Sequence, residues 1–95
     1  MATDAGVKSV PALSQFGKNL QQMGEQMYNV MQQAQRRLNE VSEGWRDDNN
    51  EKFKTRFDES VKTIKKMSEE FRAYNVWVQK QCEILNQYKN NSLNI

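Results

Sequence analysis

The chain has 95 residues, which is enough for one domain at most. Its apolar content of 37% is below the roughly 45–50% of an ordinary globular domain, which excludes a large enclosed core. The formal net charge is only +2, and within residues 1–45 four basic side chains balance four acidic ones. The whole positive excess lies in the second half of the chain, where it is spread among acidic residues, so we expect no nucleic-acid binding. Lys62, Lys65 and Lys66 resemble a basic cluster, but acidic residues one turn away favour salt-bridged faces over a phosphate site.

Cysteine and histidine usage limits the chemistry. Cys82 is the only cysteine and histidine is absent, which excludes an intrachain disulfide and a Cys-His nucleophile and leaves a zinc site without its usual ligands. We therefore predict no catalytic residues, no metal site and no cofactor, and we interpret Cys82 as a small core residue. Apolar runs are shorter than the roughly 18 residues of a membrane span, so we expect no stable membrane insertion. The N-terminus also lacks the hydrophobic segment of a signal peptide.

The first predicted helix covers residues 10–42. Residues 1–9 are expected to form a flexible lead, and Pro11 is tolerated because it would lie in the first helical turn. Apolar residues then recur in steps of three and four, which is typical of a helix with one apolar stripe. We call this stripe the apolar seam: Leu13, Phe16, Leu20, Met23, Met27, Val30, Ala34, Leu38 and Val41.

Glycines and methionines accompany this seam. Gly17 and Gly24 lie seven residues apart, and they either let a neighbouring backbone approach closely or are tolerated at a cost of up to about 1 kcal/mol each. Met23, Met27 and Met31 form a ladder with four-residue spacing. Such a ladder is typical of a packed core, but flexible thioethers also suit an irregular partner.

The predicted turn covers residues 43–47. We expect Gly44 to end the first helix in a left-handed conformation, which glycine adopts most easily. Asp48 and Glu51 have the spacing of a capping box, which predicts that the second helix begins at residue 48. Trp45 either packs back between the two helix ends or is simply a residue of the corner.

The second predicted helix covers residues 48–88, and residues 89–95 are expected to fray. Trp77 widens its apolar stripe. The helical spacing is carried by Phe53, Phe57, Val61, Ile64, Met67, Phe71, Tyr74, Val78, Cys82, Leu85 and Tyr88.

Two long helices joined by a short turn fold back on each other, so the predicted fold is an all-α, antiparallel helix–turn–helix hairpin. Two cylinders touch along one line only, so part of each stripe stays in water. Because burial contributes about 25 cal/mol per Å², we expect two hairpins to associate as a four-helix bundle dimer. Whether the partner is identical or different stays open. The predicted partner-binding residues are Leu13, Phe16, Leu20, Met23, Met27, Met31, Phe71 and Trp77.

The turn carries a resemblance to a known family. A tryptophan lies in the turn at mid-sequence, and Phe53 follows Trp45 by eight residues. In length, in helix–turn–helix organisation and in these two positions, residues 11–88 resemble the WXG-motif family, the early secretory antigen-like substrates and partners of type VII secretion systems. The turn motif of this chain therefore comprises Gly44, Trp45, Asp47 and Phe53.

Two positions depart from the family pattern. Asp47 stands where the family has a glycine two residues after the tryptophan, and glycine instead precedes the tryptophan here. The family's export signal, a tyrosine followed four residues later by an acid, is also missing. Tyr74 is followed at that spacing by Val78, and Tyr88 is followed by Ser92.

The resemblance implies a small non-enzymatic hairpin that is secreted without a cleaved signal peptide. It would be exported as a homodimer or heterodimer with a similar hairpin, or it would escort a larger secreted effector or toxin. The alternative is a cytoplasmic coiled-coil adaptor or scaffold unrelated to secretion, which the departures from the motif favour.

Overall fold

The computed structural model describes the backbone of residues 2–93 and the side chains of residues 9–88. It contains two long helices, α1 (Ala2–Ser42) and α2 (Asp48–Leu93), joined by residues 43–47. The described part of the chain contains no strand. The predicted all-α class is confirmed.

Both helices extend beyond their predicted limits. Because α1 begins at Ala2, residues 2–9 of the expected lead are helical and Pro11 lies inside the helix. Likewise α2 includes residues 89–93 of the expected frayed tail. The prediction placed each boundary where the apolar period stops, but backbone hydrogen bonding continues without an apolar residue in every turn. Met1 and the last two residues of that tail lie outside the described residues.

The chain divides into two compact units, and the first contains both chain ends. This terminal unit comprises Met1–Gln22 and Phe71–Ile95. Its α1 and α2 segments pack antiparallel, since residue 10 contacts residue 82 while residue 21 contacts residue 75. Its core consists of buried Val10, Val78 and Cys82, with Leu13 and Leu85 partly buried against them.

The second unit, the turn unit, comprises Met23–Glu70. Its helix segments are also antiparallel, since residue 35 bonds to residue 58 while residue 42 bonds to residue 50. Val61 is its buried apolar residue among the described side chains, and Ser42 and Asn50 are buried polar residues. The predicted helical hairpin is confirmed, and its association into a four-helix bundle stays a prediction.

The positions of α1 that face α2 form a strict seven-residue repeat with alternating steps of four and three. None of them is exposed, and five of them hydrogen-bond to α2. They are Val10, Ser14, Gly17, Gln21, Gly24, Tyr28, Met31, Gln35, Leu38 and Ser42. Most positions of the predicted apolar seam lie one residue earlier, about 100° around the helix. The seam therefore flanks the inward face and contributes to it only in part, for example through Leu13, which packs against the core of the terminal unit. The centre of that face is largely small and polar.

The positions of α2 that face α1 repeat in the same way and carry larger side chains. None of them is exposed: Asn50, Lys54, Phe57, Val61, Ile64, Ser68, Phe71, Asn75, Val78, Cys82 and Leu85. Most of the stripe predicted for the second helix is among them. Three of its aromatic members, Phe53, Tyr74 and Tyr88, are instead exposed. Phe53 and Tyr74 each precede an inward position by one residue.

Gly17 permits a close approach between α1 and α2. A Cβ atom at this position would lie 2.5 Å from Asn75 Oδ1 and 2.9 Å from Val78 Cγ1. A larger residue therefore fits only if its neighbours move. Of the two interpretations of this glycine, close approach is confirmed.

Candidate interaction surface

The apolar seam of α1 stays partly uncovered. Phe16, in the terminal unit, is 57% exposed, and Met23 and Val30, in the turn unit, are 54% and 61% exposed. Other members are half-buried, and one of them, Leu38, belongs to the inward face itself: Leu13, Leu20, Met27, Ala34 and Leu38. Since soluble monomers seldom leave a large apolar patch in water, this seam is the first candidate for contact with a partner.

In the turn unit the seam opens into a shallow groove. Its volume is about 420 Å³, and it is lined by Met23, Gln26, Met27, Val30, Met31 and Ile64. We call it the methionine groove. The three methionines predicted as partner-binding residues come together here, joined by two apolar residues that the prediction did not include. Unbranched thioethers adapt to the shape of whatever they contact, which suits a groove that receives side chains from another molecule.

In the terminal unit α2 also exposes apolar side chains. Trp77, a predicted partner-binding residue, is 65% exposed. Phe71, another, faces inward and is half-buried, with its ring centroid 6.2 Å from that of Tyr74. The exposed large apolar residues of this unit are Phe16, Tyr74, Val76, Trp77, Ile84 and Tyr88.

Three residues of the predicted turn motif meet on the surface of the turn unit. The indole N–H of Trp45 donates to Asp47 Oδ2 at 3.0 Å, and its ring centroid lies 6.4 Å from that of Phe53. Phe53 in turn stacks on Phe57 at 6.2 Å. Trp45 is 38% exposed, so it covers the beginning of α2 and is not enclosed between the helix ends.

Gly44 does not act as predicted. No described residue, glycine included, has a positive φ, so the left-handed ending expected at this position is wrong. Instead the backbone N–H groups of residues 43–45 each bond to the carbonyl three residues earlier, at 3.1–3.3 Å. This tightening of the last turn satisfies the helix end without a special conformation. A Cβ at Gly44 would meet only the Val41 carbonyl oxygen, at 3.9 Å.

The residue that caps α2 is Asp47 and not Asp48. Its Oδ1 accepts the backbone N–H of Asn50 at 2.9 Å, and its carbonyl accepts that of Glu51 at 3.2 Å. The Asn50 N–H, followed by the Trp45 indole, stabilises the carboxylate and holds the pKa of Asp47 below its ordinary value. The four acidic and amide residues at 47–50 are all good capping residues, so their types alone did not distinguish the cap from its neighbours.

The sequence analysis missed a series of polar residues on the inward face of α1. Ser14, Gln21, Gln35 and Ser42 are separated by multiples of seven residues, and each hydrogen-bonds across to α2. We call this series the polar column. No buried side-chain nitrogen or oxygen within the described residues lacks a partner. The seven-residue spacing of the polar column is visible in the sequence, because repeating polar residues can be counted in the same way as apolar ones.

The described residues form neither of two other kinds of site, a metal site or a membrane-spanning helix. They contain no group of three or more His, Cys, Asp or Glu side chains arranged to hold a metal ion. Within that same part of the chain, neither helix has a stretch long and apolar enough to cross a bilayer.

Comparisons with protein-family models, with curated proteins and with solved structures give no match to this chain. A functional assignment therefore depends on the surface itself.

Proposed function

We propose that this protein is a non-enzymatic association module whose hairpin pairs with another helical hairpin. The observation that carries the proposal is the exposure of the apolar seam, where Phe16, Met23 and Val30 each keep more than half of their surface in water. The partner is a second copy of this chain or a similar hairpin, and together they would form a four-helix bundle. We expect neither a cofactor nor nucleic acid to take part.

Energetics support association. None of the described large side chains is fully buried, so the hairpin by itself gains little from its core. Covering apolar surface contributes about 25 cal/mol per Å², and stable dimers of small chains cover several hundred Å² on each partner. A partner that covers the exposed seam residues would therefore add apolar burial that α2 does not supply.

We further propose that the assembly is a substrate or partner of a type VII-like secretion system, exported without a cleaved signal peptide or escorting a larger effector. The support is the turn, where the Trp45 ring centroid lies 6.4 Å from that of Phe53, and these two residues occupy the positions that resemble the WXG-motif family. Because neither Tyr74 nor Tyr88 is followed by an acid four residues later, export would depend on the signal of a partner chain.

A cytoplasmic adaptor is the second candidate. It is favoured by Asp47 in place of the family glycine and by Val78 in place of the acid that should follow Tyr74. Since the same apolar seam would serve an adaptor, the two functions differ in location and not in binding surface.

The location of the protein is tested by expressing a tagged form in the cells that naturally produce it. The ATPase that drives the type VII-like secretion system is active in one strain and inactivated in the other. Protein in the culture medium only when the ATPase is active is the expected result, with an abundant cytosolic protein as the control for lysis. Equal retention in the cytosol of both strains would contradict the export proposal and favour the adaptor.

A further inference from the structure

Two neighbouring faces of α1, offset by one residue, could each pack against α2. In the terminal unit the face that packs inward carries buried Val10 together with Ser14, Gly17 and Gln21. The neighbouring seam carries Leu13, Phe16 and Leu20, of which Phe16 is exposed and the two leucines are half-buried. Turning α1 by about 100° would bury the larger apolar side chains against α2. Apolar burial alone therefore favours the face that the molecule leaves outside, and another interaction must decide the choice.

A hydrogen-bond network opposes that rotation. The Ser14 hydroxyl donates to Gln79 Oε1 at 2.9 Å, and Gln79 Nε2 donates to the Ser14 carbonyl oxygen and to Asn75 Oδ1, each at 2.9 Å. Asn75 Nδ2 donates to Gln21 Oε1 at 2.8 Å. Two side chains of each helix are thereby joined across the interface.

The shape of the interface at Gly17 favours the same face of α1. Gly17 leaves the space that the Asn75 side chain and Val78 occupy. If Phe16 replaced Gly17 at this interface, its ring would displace Asn75, and both α2 amides would lose the partners that α1 supplies. Polar groups buried without partners carry their full desolvation cost, which exceeds what a hydrogen bond contributes when it is made. A polar residue inside a helical interface commonly fixes pairing for this reason.

We infer that the network of Ser14, Gln21, Asn75 and Gln79 is the element that selects which face of α1 packs in the terminal unit. It holds the polar column inward and keeps the apolar seam of that unit outward. The availability of the seam for a partner rests on the proposed function, but the selection of the face does not, and the two can fail separately.

The test is the double variant Asn75→Leu/Gln79→Leu, which removes the polar groups of α2 from the network. Ser14→Cys is the reporter, since position 14 faces inward now and would face solvent after rotation. It removes only the hydroxyl bond to Gln79 Oε1, because the bonds from Gln79 Nε2 to the Ser14 carbonyl oxygen and from Asn75 Nδ2 to Gln21 stay. The Ser14→Cys single variant is therefore the baseline, and its own reaction should be slow. Lys18→Cys, at a position exposed in either pairing, is the reference. Native Cys82 is buried and lies on α2, so it stays protected in both folded pairings and reacts only on unfolding. Peptide mass spectrometry after reaction with a thiol reagent gives the separate rates.

Reaction at Ser14→Cys should become about tenfold faster in the double variant, with no change at Lys18→Cys and with Cys82 still protected. The matched control is Asn86→Leu/Gln87→Leu, which makes the same two replacements at exposed positions of α2 and should leave all rates unchanged.

An unchanged slow rate at Ser14→Cys would overturn the inference, since the face would then be chosen without the network. Rapid reaction at Cys82 as well would also overturn it, because the network would then be required for folding and would not be choosing between two folded pairings. Sedimentation of the same samples reports association independently, so failure of the proposed dimer would be recognised separately.

Discussion

The terminal unit and the turn unit bring the same two helices together by different means. In the terminal unit, hydrogen bonds between α1 and α2 join residues 54 to 72 positions apart in the chain. In the turn unit the corresponding bonds join residues 8 and 23 positions apart. Local residues can define the turn unit, whereas the terminal unit depends on contacts between distant parts of the chain.

The difference teaches where specificity is needed. In the turn unit a cap, a small buried polar pair and an aromatic cluster all lie within a few residues of the connection, so little chain entropy is lost when they meet. In the terminal unit the two helix segments are far apart in the chain, so their side chains must determine which faces of α1 and α2 pair. Long amide side chains and a glycine determine this pairing through hydrogen bonds and shape.

The substitution Gly17→Ala should have the largest effect, because it breaks the distant pairing of the terminal unit. The new Cβ would press on Asn75 Oδ1 and Val78, and we expect a loss of about 2–3 kcal/mol in the free energy of unfolding, as is typical of overpacking. Urea denaturation measures it. The matched control is Gly44→Ala, where the added carbon makes only an ordinary contact with the Val41 carbonyl oxygen and should raise stability by up to about 1 kcal/mol.

An equal loss at both glycines would mean that alanine acts through the backbone alone. The close approach at Gly17 would then not be needed for pairing.

Ser42→Ala should have the next largest effect on stability, and it tests the local pairing of α1 and α2 in the turn unit. Its hydroxyl donates to Asn50 Oδ1 at 2.9 Å, and both residues are buried. Removing the donor leaves a buried oxygen without its partner, which costs about 1–2 kcal/mol. The control is Ser60→Ala, since Ser60 is exposed and bonds only to the Arg56 carbonyl of its own helix, and its unfolding midpoint should not change.

If Ser42→Ala melts like the parent chain, the buried pair contributes nothing and the turn depends on its cap and aromatic residues instead.

Trp45→Ala should have a smaller effect than a tryptophan usually shows. A fully buried tryptophan costs about 3–5 kcal/mol when it is truncated, but this ring keeps 38% of its surface exposed. We expect about 1 kcal/mol from its contact with Phe53. Thermal melting by circular dichroism gives the value, and Trp77→Ala, at an exposed position of the terminal unit, is the comparison. A loss near that of a buried tryptophan would show that the ring is enclosed.

The smallest effect concerns how the stability of the fold depends on pH. Because the folded pKa of Asp47 is lowered, its carboxylate stabilises the fold above the ordinary aspartate pKa of about 3.9, and this contribution disappears as the pH falls through the lower, folded value. Asp47→Asn keeps a good capping residue without the charge. The parent should therefore melt slightly higher than the variant at pH 7, and the two should converge at strongly acidic pH. A gap that does not change with pH would contradict this role of the charge.

Periodicity predicted the class, the hairpin and the position of the connection, because a run of residues at helical spacing is a local property. It failed on the inward face of α1. Counting apolar residues selects the seam with Phe16 and Met23, whereas the interface contains Ser14 and Gln21 because α2 presents Asn75 and Gln79 opposite them. That information lies in a distant part of the chain and is not visible within either helix by itself.

The site was predictable to a similar degree. Phe16, Met23 and Trp77, which the sequence analysis named as partner-binding residues, are exposed. Met31 and Phe71, named with them, share an inward face with the polar residues. At the turn, residue types indicated a cap within residues 47–50 but did not decide which residue it is.

Light scattering of the purified chain at high concentration tests the central claim, that an uncovered apolar seam makes this protein an association module. The parent should have the mass of a dimer. Met23→Gln/Val30→Gln should have the mass of a monomer with unchanged helical content, and Lys18→Gln/Arg36→Gln, at exposed polar positions, should behave like the parent. A parent that stays monomeric at millimolar concentration, or a seam variant that dimerises as well as the parent, would contradict the account.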